Sequence, residues 1–438
     1  MTRRKILLVS VYHPDIVRGG AQQACYELFA ELRGTDWQPL LLASTDRNVS
    51  PALYKSGAVI TAFDGRSDEY LFLSEGYDHD WHRSREPRCL EMFEAFLEST
   101  APDVIHFHHF MTFGMEYLTA ARKYLDGKGG RLIFTLHEFL AMCMASGQMV
   151  RTFDQSLCDT PSSLRCHECF PGFPPEHFSM RRMWIKHHLG RVHQFIAPSD
   201  FLRQRYIEWG IPAEKIVVIP NGHRPLGPDA APTVGSWLPD SARNRFAYFG
   251  QLVDNKGLLV LFDAVKLLRS RGLHDFTLDV YGSNLQFASQ RFRNQFNAFW
   301  AAEKSANGSG EARVRFRGGY RHADLPKLMR GVDWVIVPST WWEIFGMVVS
   351  EAFLFGKPVI CSKIGAIGER VQDNIDGLHF RVGDAESLAA TMARAMTEKD
   401  LWNSLHANVK PPPTAGFVAR QHIEQCYGVA RPHASPRN

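Results

Sequence analysis

Pro338-Ser-Thr-Trp-Trp-Glu343-Ile-Phe345-Gly346-Met347-Val-Val-Ser-Glu351 follows the apolar run 333–337 directly. The run reads as a buried strand, and Phe345-Gly346-Met347 as the start of the helix after it. That order puts Glu343 in a loop above a sheet and Glu351 inside the helix. The first amides of a helix lack intrahelical partners, and together with the macrodipole they attract phosphate. Gly346 would let a ligand come close to the backbone. Two carboxylates beside an anion cradle suit a ligand with both hydroxyls and phosphates, and a nucleotide-sugar is such a ligand.

The chain has 438 residues, 45% of them apolar, enough for two or three domains with ordinary cores. A formal charge of +4 argues against a nucleic-acid partner. No apolar stretch reaches the roughly 18 residues of a membrane span. The basic Met1-Thr-Arg-Arg-Lys5 runs straight into Ile6-Leu-Leu-Val-Ser10, too short for a signal peptide and better suited to a first buried strand. These features predict a cytoplasmic protein, and eight cysteines in this length do not resemble a secreted disulfide scaffold.

Short apolar runs alternate with amphipathic stretches throughout. Strands are expected at 5–12, 39–43, 104–110, 131–136, 194–198 and 215–220, then at 245–252, 276–281, 314–318, 333–337, 357–362 and 378–382. Continuous apolar strands separated by helices imply parallel sheets covered on both faces. So many strands favour two doubly wound domains over one sheet. Pro220-Asn221-Gly222 marks the boundary, followed by a Pro- and Gly-rich linker through Pro239. Pro411-Pro-Pro413 precedes a last helix at 415–427, which could cross back to the first domain. Residues 48–88 lack clear periodicity and read as a long surface loop.

Several turns at strand ends carry chemistry. Arg18-Gly19-Gly20-Ala21 opens a helix after the first strand, where a phosphate or sugar could approach the backbone; a purely structural turn explains a Gly pair equally well. No G-x-G-x-x-G fingerprint is present there, which argues against a dehydrogenase. Gly250-Gln251-Leu-Val-Asp-Asn-Lys256-Gly257 places a lysine where it could neutralise a diphosphate. Val280-Tyr-Gly282 and Val314-Arg-Phe-Arg-Gly-Gly-Tyr320 end two further strands of the same sheet. His106 and His108 would share a strand face and could hold a metal, or His106 could be a packed, hydrogen-bonded core residue. His137 is the stronger functional candidate, at a strand edge beside the acidic Glu138. Cys143, Cys158, Cys166 and Cys169 fall in an insertion at 143–169, with C-x2-C spacing in the last pair. They could hold a structural zinc ion or stay as thiols. The basic stretch 180–193 has Met, Trp, Ile and Leu at helical spacing, fitting either a packed helix or one resting on an anionic membrane.

Together these motifs resemble the retaining glycosyltransferases of family 4. The stretch Glu343-x-Phe345-Gly346-x-x-x-x-Glu351-Ala, followed by Gly356-x-Pro358-Val-Ile360, carries the resemblance most specifically. Thr135-Leu-His137-Glu, Ala197-Pro-Ser199 and Val218-Ile-Pro-Asn-Gly222 extend it over nearly the whole chain. The resemblance implies the GT-B fold, an α/β architecture of two Rossmann-like parallel-sheet domains facing a central cleft. An acceptor-side domain would span 1–221, a donor domain 222–410, and a linker with returning helix 411–438. It further implies a UDP- or GDP-sugar donor and a glycan or lipid-linked saccharide acceptor, with peripheral attachment to the inner membrane face conceivable. Glu351 would bind the ribose hydroxyls, Glu343 with the Phe345, Gly346 and Met347 amides the sugar and distal phosphate, and Lys256 the leaving diphosphate. Gly19, Gly20, Gln251 and Gly282 would add donor contacts, and His137 would lie near the reacting sugar. Gln251 departs from the family, which often has Arg there. No catalytic cofactor is implied. A sugar-nucleotide epimerase or hydrolase, or a non-catalytic nucleotide-sugar-binding scaffold, would use the same donor set.

Overall fold

Runs such as Ile6-Leu-Leu-Val9 are fully buried residue after residue, so the strands they form must be covered on both faces. The computed structural model describes residues 3–17, 19–224, 243–306 and 313–428, and the expected linker at 225–239 and Arg18 lie outside them. The chain divides into two compact units, one formed by Met1–Arg224 with Pro413–Asn438 and the other by Pro225–Pro412.

The first unit holds β1 (Arg4–Ser10), β2 (Trp37–Thr45), β3 (Ile60–Ala62), β4 (Glu69–Leu73), a small hairpin of β5 (Tyr77–Asp78) and β6 (Arg83–Ser84), β7 (Val104–Phe107), β8 (Arg131–Thr135), β9 (Gln194–Ala197) and β10 (Ile216–Val218). Its main sheet runs β10-β9-β8-β7-β1-β2-β4-β3. Every neighbour is parallel except the edge pair β3 and β4. The second unit carries β11 (Arg245–Gln251), β12 (Thr277–Ser283), β13 (Val314–Gly318), β14 (Trp334–Val337), β15 (Val359–Ser362) and β16 (Gly377–Phe380). They form one parallel sheet in the order β13-β12-β11-β14-β15-β16. This is the doubly wound order, with the winding reversed between β11 and β14. In the first sheet the reversal falls between β1 and β7. In such sheets the crevice for a ligand opens beyond the carboxyl ends of the strands at the reversal.

All twelve expected strands are present, most of them trimmed or shifted by a residue or two at their ends. The expectation of a long surface loop or excursion at 48–88 is corrected. That segment forms a short helix, Pro51–Ser56, the β5–β6 hairpin, and two strands that extend the sheet. Strand β4 was hidden because it opens on a carboxylate, Glu69, which sits almost fully buried. Arg66 (2.7 Å), Arg33 (2.8 Å) and His13 (2.8 Å) surround that carboxylate, and a buried charge is tolerable only with such partners.

The helix Ala415–Gln425 starts at Thr414, whose hydroxyl accepts from the Phe417 amide at 3.2 Å. Val418, Ala419 and the following Tyr427 join Ile6, Leu8, Leu28 and Phe29 in one apolar core of the first unit. The basic stretch near 180–193 is a helix over Pro175–Leu189 whose Phe178, Arg181, Ile185 and Leu189 are buried. Among the described residues no helix is long and apolar enough to cross a membrane.

Candidate functional site

In the second unit the chemistry collects at the reversal. The short turn Asp254–Lys256 follows β11, and the loop 338–346 follows β14. Two contacts hold these loops together. The Asn255 carbonyl accepts from the Thr340 amide at 2.9 Å and its hydroxyl at 3.3 Å. Gly257 sits at φ +70°, and a Cβ there would fall 1.7 Å from the Pro338 carbonyl oxygen. Only glycine lets the loops approach this closely. As a result the Lys256 ammonium lies 2.6 Å from Glu343 Oε1, while the Ser339 hydroxyl donates to the same oxygen at 2.6 Å. Burial works against ionisation of Glu343, but the ammonium and these hydrogen bonds outweigh it and hold the carboxyl below its usual range. Glu343 therefore stays ionised, and its partner Lys256 also lies 4.9 Å from the Trp341 ring centre.

The helix Met347–Leu354 starts at Gly346, which adopts φ +75°. A Cβ there would meet Ile367 at 2.4 Å, so the glycine is required by packing as well as by the turn. Phe345 is buried, and Arg370 stacks on its ring at 3.7 Å. Arg370 also donates to the carbonyls of Phe345 (2.7 Å) and Gly346 (3.0 Å) and to the Ser350 hydroxyl (2.5 Å). Glu351, one turn into the helix, is buried, and Tyr320 at the end of the β13 segment bonds to it. Gln251 is exposed at the end of β11, its carbonyl accepting from Tyr248 at 2.8 Å. Gly282 pairs with Gly250 in the neighbouring strand, and a Cβ there would meet the Gly250 carbonyl at 2.5 Å. Close strand packing thus accounts for Gly282 without a ligand.

In the first unit Gly19 caps the helix Gly20–Leu32 with extended backbone, and a Cβ on it would meet only the flexible Gln22 side chain. Packing does not demand glycine at 19, which leaves its backbone open to close approach. His137 does not use Glu138, contrary to expectation. The Glu138 carboxylate turns to the Leu140 amide, and His137 Nε2 pairs instead with His108 Nδ1 at 3.0 Å. His106 spends both ring nitrogens, on Tyr427 (2.8 Å) and Thr135 (2.7 Å), so the packed alternative holds and the metal pair with His108 does not. Among the described residues no group of three or more His, Cys, Asp or Glu side chains could hold a metal ion, and that includes Cys143, Cys158, Cys166 and Cys169.

The pattern described as Glycosyltransferase Family 4 matches residues 18–225, and that of Glycosyl transferases group 1 matches residues 234–410. The chain is a family 4-like glycosyltransferase of the GT-B fold. A lipopolysaccharide 1,2-N-acetylglucosaminetransferase of Salmonella typhimurium is 28% identical over 47% of this chain and 54% of its own. A glycogen synthase of Mycobacterium tuberculosis is 27% identical over 36% of each chain. The matches thus span about half or less of these curated relatives. Among solved structures, the Anabaena protein Alr3699/HepE in complex with UDP and glucose superposes with a TM-score of 0.62, at 19% identity over 96% of this chain and 98% of that one. Sucrose-phosphate synthase of Thermosynechococcus elongatus gives 0.63 at 18% identity, over 96% and 98% of the two chains.

Four residues of this glycosyltransferase escaped the site expected from sequence. Ser339 and Tyr320 stood inside quoted motifs but carried no signal of their own. Arg370 lies 19 positions beyond Glu351 and is recognisable only from the fold. His108 was weighed as a metal ligand, not as the partner of His137.

The buried histidines give the glycosyltransferase a distinct acid sensitivity. Burial, together with neighbouring histidines, pushes His137 down to about 3; burial does the same to His422; His106 and His108 also lie well below their usual range. In the unfolded chain each would take a proton near pH 6.5, about the free value. The folded state binds fewer protons between that pH and 3, so stability is complete above about 6.5 and is lost as pH falls. Each such histidine contributes a slope of about 1.4 kcal/mol per pH unit in that window. Thermal melts at pH 7, 6 and 5 are expected to show a steadily falling midpoint for the first unit. An unchanged midpoint would contradict the neutral histidine cluster.

Proposed function

We propose that the chain is a retaining glycosyltransferase that moves a hexose-type sugar from a UDP- or GDP-sugar to a glycan or lipid-linked saccharide in cell-surface polysaccharide assembly. The observation that carries this reading is the charged Lys256–Glu343 pair at the winding reversal of the second sheet, beside the Gly346-led helix start and with Glu351 in the same helix. Two similar proteins support the donor class: one is a lipopolysaccharide 1,2-N-acetylglucosaminetransferase, and the Anabaena structure contains UDP and glucose.

In this reading Glu351 accepts hydrogen bonds from the ribose hydroxyls, and Tyr320 holds its carboxylate in place. The amides at the start of Met347–Leu354 receive the distal phosphate. As the anomeric bond breaks, charge builds on the departing diphosphate, and the Lys256 ammonium with the helix dipole is already oriented to stabilise it. Glu343 already accepts from Lys256 and Ser339 through one oxygen, which suits a group that positions lysine and sugar hydroxyls better than a free nucleophile. Retention then follows from attack on the face the leaving group vacates, with no glycosyl-enzyme bond to Glu343. This differs from a retaining glycosidase, where the second carboxylate must be free to attack.

A thermal-shift screen against UDP-, GDP-, ADP- and dTDP-sugars tests the donor. A ligand at 100 times its Kd stabilises the folded chain by about 2.7 kcal/mol. One nucleotide class is expected to raise the melting point well above the others. No shift with any of them would contradict the proposal.

A further inference from the structure

The helix Gly365–Arg370 lies along the back of the loop 338–346 and bonds to it at both ends. At its start the Ala366 amide donates to the Glu343 carbonyl at 2.7 Å. Midway, Ile367 occupies the space that a side chain at 346 would need. At its end Arg370 Nη1 donates to the carbonyls of Phe345 (2.7 Å) and Gly346 (3.0 Å), while Nη2 donates to the Ser350 hydroxyl (2.5 Å). Ser350 is fully buried in the first turn of the helix Met347–Leu354. One guanidinium thus joins the last two residues of the loop to the helix that follows.

The consequence lies on the other side of these peptides. A trans peptide is planar, and its C=O and N–H point in opposite directions. Holding the Phe345 carbonyl therefore fixes the Gly346 amide, and holding the Gly346 carbonyl fixes the Met347 amide, both directed away from Arg370. Those amides belong to the helix start that the donor reading gives to the distal phosphate. A glycine backbone has more freedom than any other, so a restraint from outside matters most at Gly346. The guanidinium brings charge as well. The groups bonded to it are two carbonyls and a hydroxyl, and it stacks on the Phe345 ring at 3.7 Å, all of them neutral. Burial pushes Arg370 down to about 10, with Glu369 opposing the shift, so it is a cation at pH 7. A cation buried among neutral groups is unfavourable, and an anion seated beyond the two peptides would offset that.

We propose that Arg370 is a positioning residue of the donor site: clamping the Phe345 and Gly346 carbonyls to Ser350 aims the Gly346 and Met347 amides at the distal phosphate and backs them with positive charge. This inference rests on the donor reading above and adds to it a residue that touches no part of the donor. Arginine suits the task because its planar fork holds several acceptors at once. Lysine would keep the charge without that geometry.

The test titrates the full chain calorimetrically with the diphosphate and the monophosphate of one nucleoside: UDP with UMP, or the pair whose base the thermal-shift screen selects. Wild type is expected to bind the diphosphate more tightly, and that preference measures the distal phosphate. In Arg370→Met the diphosphate Kd is expected to rise roughly 10- to 100-fold, the loss of one well-aimed hydrogen bond to a charged group. The monophosphate Kd is expected to hold. Arg370→Lys, which can still reach one carbonyl, is expected to lose only part of the preference. A merely structural arginine would weaken both ligands alike, and that result would overturn the proposal. So would an undiminished preference for the diphosphate in Arg370→Met. Monophosphate binding reports that a variant is folded, and where Arg370→Met does not fold, the selective loss in Arg370→Lys decides the question. A wild-type chain with no preference for the diphosphate would overturn the donor reading itself, which separates the two failures.

Discussion

Replacing Lys256 with alanine is expected to lower kcat by roughly 10²–10³-fold, the usual cost of removing one preorganised charge from a transition state. Donor KM should move far less, because the ammonium gains most when the leaving diphosphate carries its full charge. The Lys256 ammonium is fixed 2.6 Å from Glu343 by two loops that Gly257 and the Asn255–Thr340 bonds lock together, so little reorganisation is needed as the bond breaks. The variant also strips Glu343 of its counter-charge, and the buried carboxyl should then take up a proton more readily. Initial rates with the donor identified by thermal shift would check this. A variant with near wild-type kcat would mean that Lys256 only supports the loop.

Glu351→Ala should act on binding instead. Two hydrogen bonds from ribose hydroxyls to a carboxylate contribute about 1.5–3 kcal/mol each, so donor affinity is expected to fall by roughly 10²- to 10⁴-fold. The truncation also leaves the Tyr320 hydroxyl without this partner, which costs stability of about 1–3 kcal/mol. Glu351→Gln separates the two effects, since the amide oxygen can still accept from Tyr320 while the charge is gone. Calorimetric titration of the matching nucleoside diphosphate into both variants would measure the change. Unaltered affinity in both would remove Glu351 from the ribose site.

The strands were legible because both faces of a parallel sheet are covered, and the chain must then be apolar without interruption. The same logic failed at β4, where Glu69 opens the strand and its neutralising partners Arg33, Arg66 and His13 come from other segments. No local pattern carries such a tertiary charge cluster. The quoted motif disclosed Glu343, Gly346 and Glu351 because loop, helix start and carboxylate are close in sequence. Lys256 was readable as a loop lysine, but its pairing with Glu343 spans 87 positions and needed the sheet order. Arg370 left no trace in sequence, since its task is to hold two carbonyls and a ring folded beside it. His137 shows the opposite error: its neighbour in sequence, Glu138, is not its partner in space, and His108 from the adjacent strand is.

Hydrogen–deuterium exchange of the intact chain, with and without the nucleoside diphosphate that stabilises it, tests the placement of the donor most directly. Slowed exchange is predicted at 254–258 and 343–351, the two loops at the winding reversal of the second sheet and the helix start between its carboxylates. Stabilisation by the nucleotide with unchanged exchange in both segments would contradict the site.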